Sequence, residues 1–130
     1  MIDRIMTEEN LKKLSLDPDG LLTYEYMANH INDADIDMAK LVDNMIAVDS
    51  NGQFLVSASR YLAAIDHAAY KPLIDRMVAT AIERDRERCY IGELLPSLWG
   101  DDYALRADEL TADDNFCRIY KRIHPGVTGL

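Results

Sequence analysis

Apolar residues recur at helical spacing in six stretches of this chain, and that periodicity commits it to helices packed on helices. Met38, Leu41, Val42, Met45 and Ile46 make one stripe at i, i+3, i+4, i+7 and i+8. Phe54, Leu55, Ala58, Tyr61, Leu62 and Ile65 make a second, and Leu73, Ile74, Met77, Val78, Ala81 and Ile82 a third. A fourth runs through Ile91, Leu94, Leu95, Leu98 and Trp99, with Pro96 kinking or splitting it. A weaker stripe of Leu22, Tyr26, Met27, His30 and Ile31 precedes them, and Phe116, Ile119, Tyr120 and Ile123 close the chain. No segment alternates apolar and polar residues as a half-buried strand does. The expected class is all-α, with about five to seven helices arranged as stacked hairpins or as an irregular bundle.

Turn-forming residues fall between the stripes. Asp17-Pro18-Asp19-Gly20 and Asp49-Ser50-Asn51-Gly52 combine side chains that accept from free backbone amides with a glycine that tolerates positive φ. Asn32-Asp33-Ala34-Asp35 is placed to cap the Met38 helix, and Asp66 to start another with Pro72 in its first turn. Gly100-Asp101-Asp102 and His124-Pro125-Gly126 end the Trp99 and Phe116 segments. Residues 1–124 then form one helical domain, and 125–130 a frayed tail.

The two glycine turns are offset by 32 residues. The same offset carries Leu41-Val42-Asp43-Asn44-Met45-Ile46-Ala47 onto Leu73-Ile74-Asp75-Arg76-Met77-Val78-Ala79. Asp85 offers a third start, 36 residues after Asp49 and without the glycine. A turn followed by two amphipathic helices at this period resembles an ankyrin-type repeat over residues 17–83. That resemblance implies a protein-binding scaffold with no chemistry of its own. The chain departs from the family where Thr-Pro-Leu-His is usual, having Gln53, Phe54, Leu55, Val56 and Ser57, and it carries Asp66-His67 in place of the Gly-His turn.

Charge bears on partners. The net charge is −9, and residues 1–117 carry 23 acidic against 11 basic side chains, a net of −12. Such a body repels nucleic-acid phosphates and anionic lipid, so neither nucleic acid nor membrane is an expected partner. It suits a solvated surface or a face for a basic protein. Arg118, Lys121 and Arg122 read as cations at a helix C-terminus. No apolar run approaches the roughly 20 residues that cross a bilayer, and the acidic N-terminus is unlike a signal peptide. Cys89 and Cys117, 28 residues apart among apolar neighbours, read as core thiols of a reducing compartment. The expected location is therefore cytoplasmic.

Candidate chemistry is sparse. Asp17, Asp19, Asp49 and Asn51 have the alternation of calcium-loop ligands and the glycine that makes such a loop bend. The bidentate glutamate is missing from both loops, where Tyr26 and Ala58 stand, so these resemble degenerate EF-hands at most. Asp33, Asp35 and Asp37 form a second alternating run whose simplest role is dipole compensation at a helix start. His30, His67 and His124 are scattered, no serine sits in a nucleophile elbow, and the six glycines are isolated. The alternating charges Glu83 to Arg88 offer i, i+3 pairs such as Glu83 with Arg86 and Asp85 with Arg88. Trp99 and Tyr103, beside Asp101 and Asp102, are of the types that dominate binding hot spots, or else close the core at a helix end.

The function expected is therefore a noncatalytic protein-interaction module, such as an adaptor, an inhibitor or a chaperone, needing no cofactor. It would bind through a groove between hairpins or through its acidic face, with Trp99, Tyr103, Asp33, Asp35 and Asp37 as candidate contacts. The alternatives are a calcium- or small-ligand-binding module, and a small enzyme assembled around His30 or His67.

Overall fold

The computed structural model describes residues 8–126. Every element in this span is helical: α1 (Glu8–Ser15), α2 (Leu21–His30), α3 (Met38–Val48), α4 (Gln53–Arg84), α5 (Leu94–Trp99) and α6 (Asp114–Ile123). Short 3₁₀ turns, Ile91–Glu93 and Glu109–Ala112, precede α5 and α6.

α4 is a hairpin rather than one rod. Its regular φ/ψ breaks at Asp66 (φ −164°, ψ 89°), whose carboxylate caps the second arm by accepting from the Ala69 N–H. A Cβ built on Gly52, just before α4, would lie 3.3 Å from the carbonyl oxygen of Ala81 near its end. A straight helix of 32 residues would hold these points more than about 40 Å apart. The two arms, 53–65 and 67–84, therefore run back along each other, and they carry the second and third stripes. Pro72 lies six residues past Asp66, in the second turn rather than the first. The carbonyl its missing N–H leaves unpaired, that of Ala68, belongs to an exposed residue.

Three aspartates start the three successive helical units, each accepting the N–H of the sixth residue onward. Asp17 Oδ1 accepts from the N–H groups of Asp19 and Gly20, and Oδ2 from the Thr23 N–H and hydroxyl. Asp49 Oδ1 accepts from Asn51 and Gly52, and Oδ2 from Phe54 and Leu55. Asp85 Oδ1 accepts from Cys89, and Oδ2 from Tyr90 and Ile91. In each unit the sixth residue onward, Thr23, Leu55 or Ile91, donates to Oδ2. All three aspartates are buried, so each satisfies orphan amides of a helix start where water is excluded.

The third residue after each aspartate needs a left-handed backbone. Gly20 (φ 111°) and Gly52 (φ 88°) supply it; after Asp85 the position falls to Arg88, the one non-glycine with positive φ (59°) among the described residues. Gly20 is also pressed against its neighbours, since an added Cβ would come within 2.9 Å of Met45 Sδ and 3.1 Å of Phe54 Cβ.

The core is continuous through all units. Met27, Leu41, Val42, Met45, Leu55, Leu62, Ile74, Met77, Ile82, Ile91, Leu94, Leu95, Phe116 and Ile119 are fully enclosed. In α2 the stripe is rotated from the expected one: Thr23, Met27 and Ile31 face inward and Leu22 is half-exposed. The cause is Asp17, which draws Thr23 inside. Asn44 extends that contact, donating to Thr23 Oγ1 and to the Leu14 carbonyl, both at 2.9 Å.

Cations finish the helices. Arg84 donates to the Ile46 and Asp49 carbonyls at the end of α3, Arg122 to Ile82 near the end of α4, and Arg106 to Trp99 at the end of α5. Because α4 stops at Arg84, the expected Glu83–Arg86 and Asp85–Arg88 pairs do not form. Glu83 instead approaches Arg118 at 3.9 Å, and Arg88 donates to the Arg122 carbonyl. α3 is capped by Asp37, which accepts from the Lys40 N–H, rather than by residues 32–35.

The cysteines are less buried than expected. Cys89 is exposed, because only its N–H turns inward to Asp85, and Cys117 is half-buried with its thiol donating to the Thr111 carbonyl. Both thiols are free. No helix among the described residues is long and apolar enough to cross a membrane. Of the tail placed at 125–130, residues 127–130 lie outside the described residues.

Candidate functional site

The first helix of each unit contributes to one open groove of about 510 Å³. α2 gives Tyr24, the first arm of α4 gives Ser57, Arg60, Tyr61, Ala63 and Ala64, and α5 gives Ser97. Each of these helices is set by its own aspartate turn, so the groove is held at three points. The Tyr24 ring meets Tyr61 edge-on, with centroids 6.2 Å apart and planes at 80°, and lies 6.4 Å from Phe54. Neither hydroxyl of this tyrosine pair has a hydrogen-bond partner among the described residues.

Arg60 reaches across from α4 to the α5 side. Its Nε donates to Ser97 Oγ at 2.9 Å and its Nη1 to Glu93 Oε2 at 3.3 Å. Its side chain remains 47% exposed, and its Nη2 has no hydrogen-bond partner among the described residues. Half-exposed Ile65 and Leu21 belong to the same two elements, the first arm of α4 and α2. The groove thus offers aromatic faces, short aliphatic side chains, hydroxyls and one oriented cation.

The contacts expected from sequence fall elsewhere and in two separate places. Trp99 donates its indole N–H to Asp113 Oδ2 at 3.0 Å and packs edge-on against Phe116. Tyr103 packs on Phe116 and Tyr120, with its hydroxyl 3.4 Å from His124 Nε2. Both aromatics are half-buried against α6. Asp33, Asp35 and Asp37 lie in the α2–α3 connection, where Asp33 meets His30 Nδ1 at 2.7 Å, Asp37 caps α3 and Asp35 is exposed.

The residues of the calcium alternative are engaged with backbone donors. Besides the bonds of Asp17 and Asp49, Asp19 accepts from the Leu21 N–H and Asn51 from the Gln53 N–H. A cation at either turn would have to displace N–H groups that already point at these oxygens. Burial alone would push the Asp17 carboxyl up, but bonds from the Thr23 hydroxyl and from the Gly20, Thr23 and Asp19 amides outweigh it and hold it below the usual range. Among the described residues, no three His, Cys, Asp or Glu side chains converge as metal ligands.

A second hollow of about 300 Å³ lies between α1 and α2, lined by Lys13, Leu22, Glu25, Tyr26 and His30 among others. Tyr26 stacks on His30 at 4.3 Å, and burial, with the nearby Asp33 charge, raises its hydroxyl pKa. His67 is exposed beside the bend in α4, and His124 stacks on Tyr120.

No family model matches this chain, and no curated protein or solved structure is significantly similar to it.

Proposed function

We propose that this chain is a noncatalytic protein-interaction module that binds a segment of another protein in the Tyr24–Arg60–Tyr61–Ser97 groove. One observation carries the reading: the groove is built from the first helix of all three aspartate-started units. A surface assembled this way resembles the extended binding face of stacked helical hairpins. The shared bond from the sixth residue after Asp17, Asp49 and Asp85 supports treating the units as variants of one repeat.

The side chains in the groove are those that dominate binding energetics. Tyrosine anchors interfaces because it buries much area per rotatable bond and carries a polar tip, and arginine because its planar guanidinium is pre-organised for several bonds. The reading also extends to location, for two free thiols suit a reducing cytoplasm. The acidic face around Asp33, Asp35 and Asp37 would then keep the module soluble and steer the approach of partners.

The enzyme alternative draws on the His30–Asp33 pair beside Tyr26. A histidine joined to one carboxylate of its own connection serves local structure more simply than catalysis.

Selection from a random-peptide display library against the intact protein tests the proposal. Enriched peptides should lose at least about 30-fold in affinity when Tyr24 and Tyr61 are both replaced by Ala, as expected of hot-spot residues. Failure of any peptide to enrich, or full binding by the double variant, would contradict it.

A further inference from the structure

Resting on that reading, we infer that the segment held in the groove carries a single acidic side chain, which Arg60 recognises. The guanidinium is already oriented: Ser97 accepts from Nε and Glu93 from Nη1, while Nη2 makes no hydrogen bond among the described residues, so its N–H groups are available without a further search of rotamers. A guanidinium whose Nη2 alone is open can donate to one carboxylate oxygen in a directional, charge-assisted bond. The Tyr24 and Tyr61 hydroxyls add donors to the groove.

The charge balance limits that segment to one acid. A basic segment would meet the Arg60 cation on the groove wall. An acidic run would meet Arg60 favourably but then face a molecule of net charge −9, including Glu93 at the groove edge. A lone Asp or Glu flanked by apolar residues satisfies both conditions: its carboxylate joins Arg60, and its neighbours lie against Tyr24, Tyr61, Ala63 and Ala64. Glu93 acts as an internal competitor, since it occupies part of the same guanidinium and its side chain is 61% exposed.

The test uses the peptides selected as above, each paired with a version in which its acid is amidated (Asp→Asn or Glu→Gln). Amidation is expected to weaken binding to the wild-type protein about tenfold and to the Arg60→Gln variant less than twofold, the coupling expected of a direct contact. Matching thermal melting of Arg60→Gln and wild type checks that the variant is folded. A second variant does not depend on that: Glu93→Gln removes the competitor and is expected to tighten binding of the acidic peptides several-fold. Equal losses in wild type and Arg60→Gln, or unchanged affinity in Glu93→Gln, would overturn the inference while leaving groove binding intact. Saturation of the site by acetate alone, with the same Arg60 dependence, would reassign it to free carboxylates and overturn it too. An empty selection would instead sink the interaction reading on which it rests.

Discussion

A few buried polar side chains organise this molecule, and Asp17 shows how. It lies inside the protein yet keeps its charge, because four donors from its own turn and from Thr23 surround its oxygens. Its folded-state pKa is lowered. The unfolded chain therefore binds the proton more readily, and this contribution to stability is present above the unfolded value of about 4 and is lost as pH falls through the depressed folded value. Asp17→Asn is expected to cost about 2 kcal/mol at neutral pH, since the amide turns its own donors toward backbone donors. Urea unfolding at pH 7 and pH 3 measures it: the gap between wild type and variant should narrow at the lower pH. A gap that stayed constant would show that the carboxylate charge is not what the turn uses. The aspartates of both glycine turns were legible as turn formers from sequence; that they lie inside, and that Thr23 turns inward with Asp17, required the folded geometry.

Between residues and fold stand the turn-and-helix units, where sequence periodicity was most informative. All six stripes became helices, and the break at Asp66 appeared where a cap residue separates two of them. α1 was missed because, among its described residues, only Leu11 and Leu14 give it an apolar face. Residues 101–113 carry no stripe, and their turns and short 3₁₀ helix are held largely by local bonds, such as those from Arg106 to Asp102 and Trp99. The third unit was the hardest to read, because its left-handed position holds Arg88 where the others have glycine. That substitution carries a cost. A side chain in the left-handed region is disfavoured by about 1–2 kcal/mol, and only part of this returns through the Arg88 bond to the Arg122 carbonyl. Arg88→Gly should therefore raise stability by about 1 kcal/mol, and the melting temperature by about 3 °C. A lower melting temperature would mean that the arginine's contacts with α6 outweigh its backbone strain.

Across the whole molecule, three units with the same start bring their first helices side by side, and the groove forms where they meet. No motif announces it in the sequence, because its residues, at 24, 57–64 and 97, belong to different units and are ordinary taken singly. Residue type alone points to Trp99, Tyr103, Asp33, Asp35 and Asp37, and the fold packs the aromatics against α6 and places the aspartates in the α2–α3 connection. The proposed binding surface is the groove instead. The most direct measurement is amide chemical-shift mapping of the full chain titrated with a selected peptide. Shifts confined to Tyr24, Ser57, Arg60, Tyr61, Ala64 and Ser97 and their neighbours are the expected result. Shifts centred on Asp33 to Asp37, or on Trp99 and Tyr103, would contradict it and move the interface to one of those surfaces.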